Sequence, residues 1–336
     1  MRRRRWTAIT VLTAAGALGP PGAAQAATGP PLTVPRAELD RSLRCTPDVD
    51  HARREPVLLV PGTTQNPDEF DWNYAPELRS QQIPFCSVRL PDRAMTDVQT
   101  SAEHVVHALR TMRARSGREV DVIGHSQGGV VPRWALKFWP DTRDDVDDLV
   151  GLAPSNHGTV VADGLCATGC APSIWQQRTN SDFLAALNAG AETYPGISYT
   201  QVASRTDEIV APNAGEDASS FLHTGRGRIA NVQTQSVCPL GVADHITTGT
   251  SDPVAHAAAQ DAISHPGPAD PARLAPCRAL FMPGVNPADF PGGLARIAGT
   301  AAGQIALHPK TPAEPPLRPY ARAASPSGEP ALKNLP

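Results

Sequence analysis

The stretch that decides the fold is Val120-Asp121-Val122-Ile123-Gly124-His125-Ser126-Gln127-Gly128, in which a short apolar run leads into a segment of helical character. Gly-x-Ser-x-Gly between a strand and a helix is a nucleophile elbow, a tight turn that exposes a serine hydroxyl at the end of a parallel sheet. Glycines flank the serine because a Cβ there would collide with the neighbouring strand or helix. The pattern makes Ser126 the candidate nucleophile and predicts a helix over residues 127–139.

On both sides of this elbow, short apolar runs alternate with helical segments. The runs lie at residues 57–60, 85–90, 119–123, 146–152, 197–203 and 229–235. Before Gly117, apolar residues from Val98 to Met112 recur at spacings of three and four, which predicts an amphipathic helix. This alternation predicts an α/β fold, with one doubly wound, mostly parallel sheet that has helices on both faces.

Composition excludes several classes of function. The 336 residues include 30 Lys+Arg and 33 Asp+Glu, a formal charge of −3, so no excess of positive charge attracts nucleic acid or an anionic membrane. No uninterrupted apolar run reaches the roughly 18 residues that a membrane-spanning helix needs, so we expect no integral membrane association.

Residues 1–26 have the pattern of a secretory signal peptide. Four arginines, Arg2 to Arg5, precede an apolar segment at 6–18, and Ala24-Gln25-Ala26 follows as a small-residue cleavage site. An amphipathic first helix is the alternative, but glycines and prolines between residues 16 and 22 would break it. We therefore expect a secreted, extracellular protein.

Export also indicates that the six cysteines form disulfides, because thiols outside the cytosol usually pair. Three disulfides are expected, and the residues alone leave their pairing open. A zinc site at Cys166 and Cys170 is disfavoured, since His157 is the sole further soft ligand in that neighbourhood.

Two segments stand apart from the predicted catalytic domain of residues 27–309. Residues 158–177 form neither a clean strand nor a long helix, and an insertion at this place is predicted to cap the active site, with an ordinary surface loop as the alternative. Residues 310–336 are rich in proline, which predicts an extended tail that is packed on the surface or partly disordered.

A serine nucleophile needs a histidine base and an acid that holds the histidine in the right tautomer. In this fold the chain order is Ser, acid, His. His245 is the best placed base, in a short loop between a strand and a helix. Three other histidines downstream of Ser126 lie in turns or within a helix and are predicted to be structural or solvated: His223, His256 and His265.

Asp207 is the predicted acid because it follows the carboxyl end of a strand. Its competitors are Asp182, Asp217 and Asp244. His125 diverges from the serine on the elbow, so it is predicted to line the pocket or to pack beneath it.

The oxyanion hole needs backbone donors from two places. The N–H of Gln127 is the first, and the loop after the strand at 57–60 supplies the N–H of Thr63, whose hydroxyl adds a third donor. A plain turn at residues 61–64 is the alternative.

The acidic run Asp141, Asp144, Asp145, Asp147 and Asp148 lacks the glycine and the terminal glutamate of a calcium loop. A solvated surface is therefore predicted for it, and no metal or other cofactor is expected.

Taken together, several segments in order along the chain resemble the family of Candida antarctica lipase B. They are residues 58–63, 126–129, 153–154, 172–177, 206–210, 244–245 and 319–322. The resemblance implies the same triad of Ser126, Asp207 and His245, ester hydrolysis with acyl transfer to alcohols when water is scarce, and no cofactor. It also implies the pairs Cys45–Cys86 and Cys238–Cys277, which leaves Cys166–Cys170 as an additional bridge in the predicted cap.

The chain departs from that family at two informative positions. His125 stands where the best-known member has a tryptophan that shapes the alcohol side of its pocket, and Ser155 replaces an acid. Stereoselectivity is therefore not carried over from the resemblance.

These observations predict a monomeric, secreted serine ester hydrolase, a lipase or carboxylesterase. Its partner would be an ester or lipid substrate, met at a lipid–water interface, and not nucleic acid. A polyester or cutin hydrolase is the alternative within enzymes. A non-catalytic binding protein that kept the hydrolase fold is the alternative outside them.

Overall fold

The structure, a computed structural model, describes residues 28–322. The predicted signal peptide and the last part of the predicted tail, residues 323–336, lie outside the described residues. The strands are β1 (Leu43–Cys45), β2 (Val57–Val60), β3 (Phe85–Val88), β4 (Val120–His125), β5 (Val146–Leu152), β6 (Ser198–Ala203) and β7 (Arg228–Gln233).

The seven strands form one sheet in the order β1-β3-β2-β4-β5-β6-β7. All neighbours run parallel except β1 and β3, so the predicted α/β class is confirmed. The short antiparallel edge strand β1 was not predicted, because three residues carry too little pattern to be recognised. Cys45 of β1 pairs with Cys86 of β3 in register, and a disulfide joins them.

Helices cover both faces of this sheet. They are α1 (Arg36–Ser42), α2 (Tyr74–Ser80), α3 (Val98–Ser116), α4 (Gln127–Phe138), α5 (Val160–Leu165), α6 (Pro172–Trp175), α7 (Asp182–Asn188), α8 (Thr234–Val237), α9 (His245–Thr250), α10 (Pro253–Ser264), α11 (Phe290–Leu307) and α12 (Pro319–Arg322). Within residues 28–322, no helix has the length and apolar character needed to cross a membrane.

Alternate residues of each strand feed the two apolar layers, as the two-residue period of a strand requires. In β2, Leu58 and Val60 pack with α3 and α4 on one face of the sheet. Val57 and Leu59 pack with α2 and α10 on the other. All four side chains are fully buried, so the central part of the sheet lies in the core on which the site is built.

The acidic run at residues 141–148 corrects one expectation, since only Asp144 among its five acids is exposed. Asp148 retains 2% of its accessible surface, because the run continues into β5 and the backbone of Asp148 pairs with Ser198 of the adjacent β6. The prediction of a solvated surface is therefore wrong for this end of the run. Burial raises the pKa of Asp148 to about 9 and that of Asp145 to about 6.

The first part of the predicted tail is packed on the domain. Thr311 forms an antiparallel bridge with Cys170. In α12, the Tyr320 ring lies 5.3 Å from that of Phe138, and Ala321 is fully buried. Residues 310–322 therefore hold the segment at 158–177 and helix α4 together.

Candidate active site

Ser126 occupies a sharp turn between β4 and α4, with φ 55° and ψ −126°. The turn brings backbones into close contact on both sides of the serine. A Cβ on Gly124 would lie 2.0 Å from the carbonyl oxygen of Gly128, and one on Gly128 would lie 2.2 Å from that of Val60. Both glycines are therefore required by packing, as the sequence pattern predicts.

A cavity of about 160 Å³ opens beside this turn. Ser126, His245 and Thr63 all line it, together with His125. Most of the remaining wall is apolar and comes from the 158–177 segment, the loop after β6, and α11: Val161, Ala162, Leu165, Ile174, Ile209, Val210, Ile297, Ala301 and Ile305. The site thus combines a few convergent polar groups with an apolar pocket.

His245 is held by a buried carboxylate behind it. Its Nδ1 lies 3.0 Å from Oδ2 of Asp207. Oδ1 of Asp207 accepts hydrogen bonds from the N–H groups of Ile209 (3.0 Å) and Val210 (2.8 Å), and Oδ2 accepts one from the amide of Asn213 (3.1 Å). Because a carboxylate at Nδ1 requires hydrogen on that atom, Nε2 of the neutral ring is left as the proton acceptor.

The two groups also shift each other's pKa. Burial alone would raise the pKa of Asp207, but the adjacent His245 and the two backbone donors outweigh burial, and this pKa is lowered. Burial alone would lower the pKa of His245, but the charge and hydrogen bond of Asp207 outweigh burial, and this pKa is raised.

His245 corrects one detail of the sequence analysis. It is the first residue of α9 and does not lie in a loop. Asp244, one of the alternative acids, instead caps this helix by accepting a hydrogen bond from the N–H of Thr247 (2.7 Å).

The predicted oxyanion loop lies at the elbow. Oγ1 of Thr63 accepts hydrogen bonds from Nε2 of Gln127 (3.1 Å) and Nε2 of Gln177 (3.0 Å), and Oγ of Ser155 donates to Oε1 of Gln177 (3.0 Å). Within residues 28–322, the backbone N–H groups of Thr63 and Gln127 donate to no acceptor. Two free donors at the serine are what a tetrahedral oxyanion requires.

The other predicted alternatives lie elsewhere. The ring of His256 faces Tyr74 at 5.9 Å, His265 bonds to Asp261, and the ring of His223 lies 5.9 Å from that of His157. Both remaining acids, Asp182 and Asp217, are exposed.

Two contributors to the site escaped sequence analysis. The first is α11, whose four glycines obscured its helical character, although its pocket residues Ile297, Ala301 and Ile305 recur every four positions and form one helical face. The second is Glu69, a fully buried acid that follows Pro67-Asp68 in what reads as a turn. Nothing in the local sequence around Glu69 indicates a role, which only its contacts with His125 and Gly62 in the folded chain reveal.

One group in the described part of the chain has the spacing to hold a cation. Single side-chain oxygens of Asp121, Asp147 and Asp148 lie within 4.8 Å of one another. Arg54 and Arg228 share their cleft, at the opposite end of β4 and β5 from Ser126. This cluster is remote from the pocket.

Comparison with known proteins shows the family to which the chain belongs. The model of the class 2 lipase family matches residues 54–238, more than half of the chain. The chain belongs to the class 2 lipase family. It is 37% identical over 303 residues to lipase B of Pseudozyma antarctica, covering 87% of this chain and 86% of the relative. It is thus a hydrolase of the lipase and esterase type.

A solved structure shows the same relationship in three dimensions. This class 2 lipase superposes on Aspergillus fumigatus lipase B with a TM-score of 0.81 and 32% sequence identity, over 88% of this chain and 74% of the other. The three disulfides join Cys45 to Cys86, Cys166 to Cys170 and Cys238 to Cys277. Cys45–Cys86 and Cys238–Cys277 are the pairs that the family resemblance implied, and Cys166–Cys170 is the additional bridge expected in the 158–177 segment.

Proposed function

We propose that this class 2 lipase is a secreted carboxylic ester hydrolase in which Ser126 is the nucleophile, His245 the general base and Asp207 the orienting acid. The observation that carries the proposal is the buried His245–Asp207 pair, with His245 and the strained elbow serine lining one apolar pocket. The free N–H groups of Thr63 and Gln127 support it as the oxyanion hole.

In the proposed reaction, Oγ of Ser126 attacks the ester carbonyl as Nε2 of His245 takes its proton. The oxyanion of the tetrahedral intermediate accepts hydrogen bonds from the two free N–H groups. His245 then returns the proton to the leaving alcohol. Water attacks the resulting acyl-enzyme by the same sequence and releases the acid.

The pocket wall supports acyl chains as the group bound. Its lining from α5 and α11 carries no charge, so binding an alkyl chain there would remove apolar surface from water on both sides. Around the mouth, the pocket residues Leu165, Ile209 and Ile305 are 37–40% exposed. An exposed apolar rim of this kind fits contact with a lipid surface, and we infer acylglycerols as substrates.

Secretion is proposed from two independent features. The chain begins with the signal-peptide pattern at residues 1–26, and all six cysteines are paired. Disulfides persist in oxidising compartments, which favours an extracellular protein.

Ser126→Ala tests the assignment directly. Removal of the hydroxyl should lower kcat by about 10⁶ and abolish labelling by a fluorescent alkylphosphonate, with the melting temperature nearly unchanged. Ser116→Ala, a serine at the end of α3 far from the pocket, is the matched control and should behave as wild type. Turnover and labelling retained by the Ser126→Ala variant would show that another group is the nucleophile.

Substrate class is tested by a series of nitrophenyl esters and triacylglycerols of increasing chain length, with an insoluble polyester film as a separate arm. A lipase with this pocket should turn over medium or long glycerides faster than the film. Preference for the film would favour the polyester hydrolase alternative instead.

A further inference from the structure

A second carboxylate–histidine pair, Glu69 and His125, lies directly behind the proposed triad. The side chain of Glu69 is fully buried and that of His125 is 4% exposed. Oε1 of Glu69 is hydrogen-bonded to Nδ1 of His125. Buried charged groups of this kind are costly unless each polar atom has a partner, so the remaining two contacts are informative.

Those contacts reach the two segments that the proposed reaction needs, the oxyanion loop and the start of α9. Oε2 of Glu69 accepts a hydrogen bond from the N–H of Gly62 (2.9 Å), the residue before Thr63 in the oxyanion loop. Nε2 of His125 lies 3.1 Å from the backbone carbonyl oxygen of His245. One continuous chain of hydrogen bonds therefore joins the oxyanion loop to the backbone of the proposed base.

The geometry also fixes a proton within the pair. Both ring nitrogens of His125 face oxygen atoms, one a carbonyl and the other a carboxyl group. A carbonyl only accepts, so Nε2 must carry hydrogen, and the contact with Glu69 then requires a proton of its own. Glu69 and His125 together thus hold one proton in a bond between them.

Packing leaves the His125 ring little freedom. A Cβ on Gly249 of α9 would lie 2.1 Å from Cδ2 of this ring, so helix and ring are in direct contact. The ring centroids of His125 and His245 are 4.9 Å apart. The His125 ring is therefore held between Glu69 and α9. A displacement of the Glu69 side chain would move this ring against the start of α9, where His245 lies.

We propose that Glu69 and His125 act as one positioning unit that sets the oxyanion loop and the His245 backbone relative to each other. This inference rests on the proposed function of Ser126 and His245, and it assigns no bond-making step to either residue. In the unit, Glu69 orients the oxyanion loop through its hydrogen bond from the N–H of Gly62. His125 links Glu69 to the backbone of His245, the proposed base.

Kinetics of Glu69→Gln, His125→Asn and the double variant test this unit. Each single variant should lose roughly 10- to 100-fold in kcat/KM, somewhat less than the 10²–10³ that removal of a whole oxyanion donor costs. Most of the loss should fall on kcat, with KM changed by less than about threefold. The double variant should lose no more than the worse single variant, because residues acting as one unit are non-additive.

Two further readouts separate positioning from simple destabilisation. Affinity for an alkylboronic acid, which forms a tetrahedral adduct with a serine, should fall by the same factor as kcat/KM. Each rate is divided by the concentration of active sites, measured as the protein that the fluorescent alkylphosphonate labels, so that unfolded protein does not lower it. Glu77→Gln, another buried glutamate on α2 with no contact to the site, is the matched control and should match wild type.

Proton NMR of the wild-type protein tests the shared proton without any variant. Two low-field signals are expected, one from the Asp207–His245 bond and one from the Glu69–His125 bond. The second should disappear in Glu69→Gln and in His125→Asn, whichever of the two variants folds. A single low-field signal in wild type would contradict the claim that Glu69 and His125 hold a proton between them.

The outcomes also distinguish this inference from the proposed function. An inactive Ser126→Ala variant beside a Glu69→Gln variant as active as Glu77→Gln would overturn the positioning unit alone. Losses confined to KM, or fully additive losses, would overturn it as well. An active Ser126→Ala variant would overturn the proposed function instead.

Discussion

Replacing Asp207 by asparagine alters the proposed triad with almost no change of shape. Oδ1 would keep its bonds to the N–H groups of Ile209 and Val210. Oδ2, however, becomes an NH₂ group that faces Nδ1 of His245 and the amide of Asn213. The amide of Asn213 resists flipping, because its own oxygen accepts a hydrogen bond from the N–H of Ser220 (3.1 Å).

The substitution therefore forces His245 into the other tautomer. Nδ1 must accept from the new NH₂ group, so hydrogen moves to Nε2, the atom that would take the proton of Ser126. A base in the wrong tautomer typically costs about 10⁴ in kcat, or about 5.5 kcal/mol of transition-state stabilisation. Because the pKa of Asp207 is lowered in the fold, its charge stabilises the protein above the unfolded pKa, and that contribution is lost in acid.

The assay is single-substrate hydrolysis of a nitrophenyl ester at neutral pH, with thermal melting recorded at neutral and at acidic pH. We expect a folded Asp207→Asn variant with kcat lowered by about 10⁴ and a melting temperature that approaches wild type as the pH falls. Asp217→Asn, an exposed acid in the same loop region, is the control. A folded variant that kept more than about a tenth of wild-type kcat would refute the role of Asp207.

Three other outcomes are expected from the same physics. Because the pKa of His245 is raised and only its neutral ring accepts a proton, kcat/KM should rise with pH through a midpoint above about 6.5; a flat profile would exclude a histidine base. Since burial raises the pKa of Asp148 to about 9, its ionisation destabilises the fold progressively above the unfolded pKa of about 3.9. Asp148→Asn should therefore raise the free energy of unfolding by up to about 5 kcal/mol near pH 8 and by almost nothing near pH 4; an equal gain at both pH values would contradict this origin. If residues 158–177 cap the pocket, replacing Cys166 and Cys170 by serine should change hydrolysis of long-chain glycerides more than that of acetate esters, and equal changes would show a surface loop.

Local sequence pattern was sufficient to predict most of the fold. The parallel strands were predicted because buried strands are continuous apolar runs, and α3 because one face of it is apolar along its length. The elbow was predicted because the serine and its two glycines lie within five consecutive residues, and a Cβ on Gly124 would collide with Gly128, four positions later. Pattern was insufficient for β1 and α11, the first too short and the second too rich in glycine to show a clear period.

For the site, the sequence by itself determined which residue types were available and in what order: a serine on an elbow, an acid after β6 and a histidine before α10. Only the tertiary structure decided which of them meet. The contact of His245 with Asp207 and that of His125 with Glu69 both join residues that are far apart in the sequence. A single chain carries no local signal for such contacts, because they depend on how the sheet and its helices pack around the carboxyl ends of the strands.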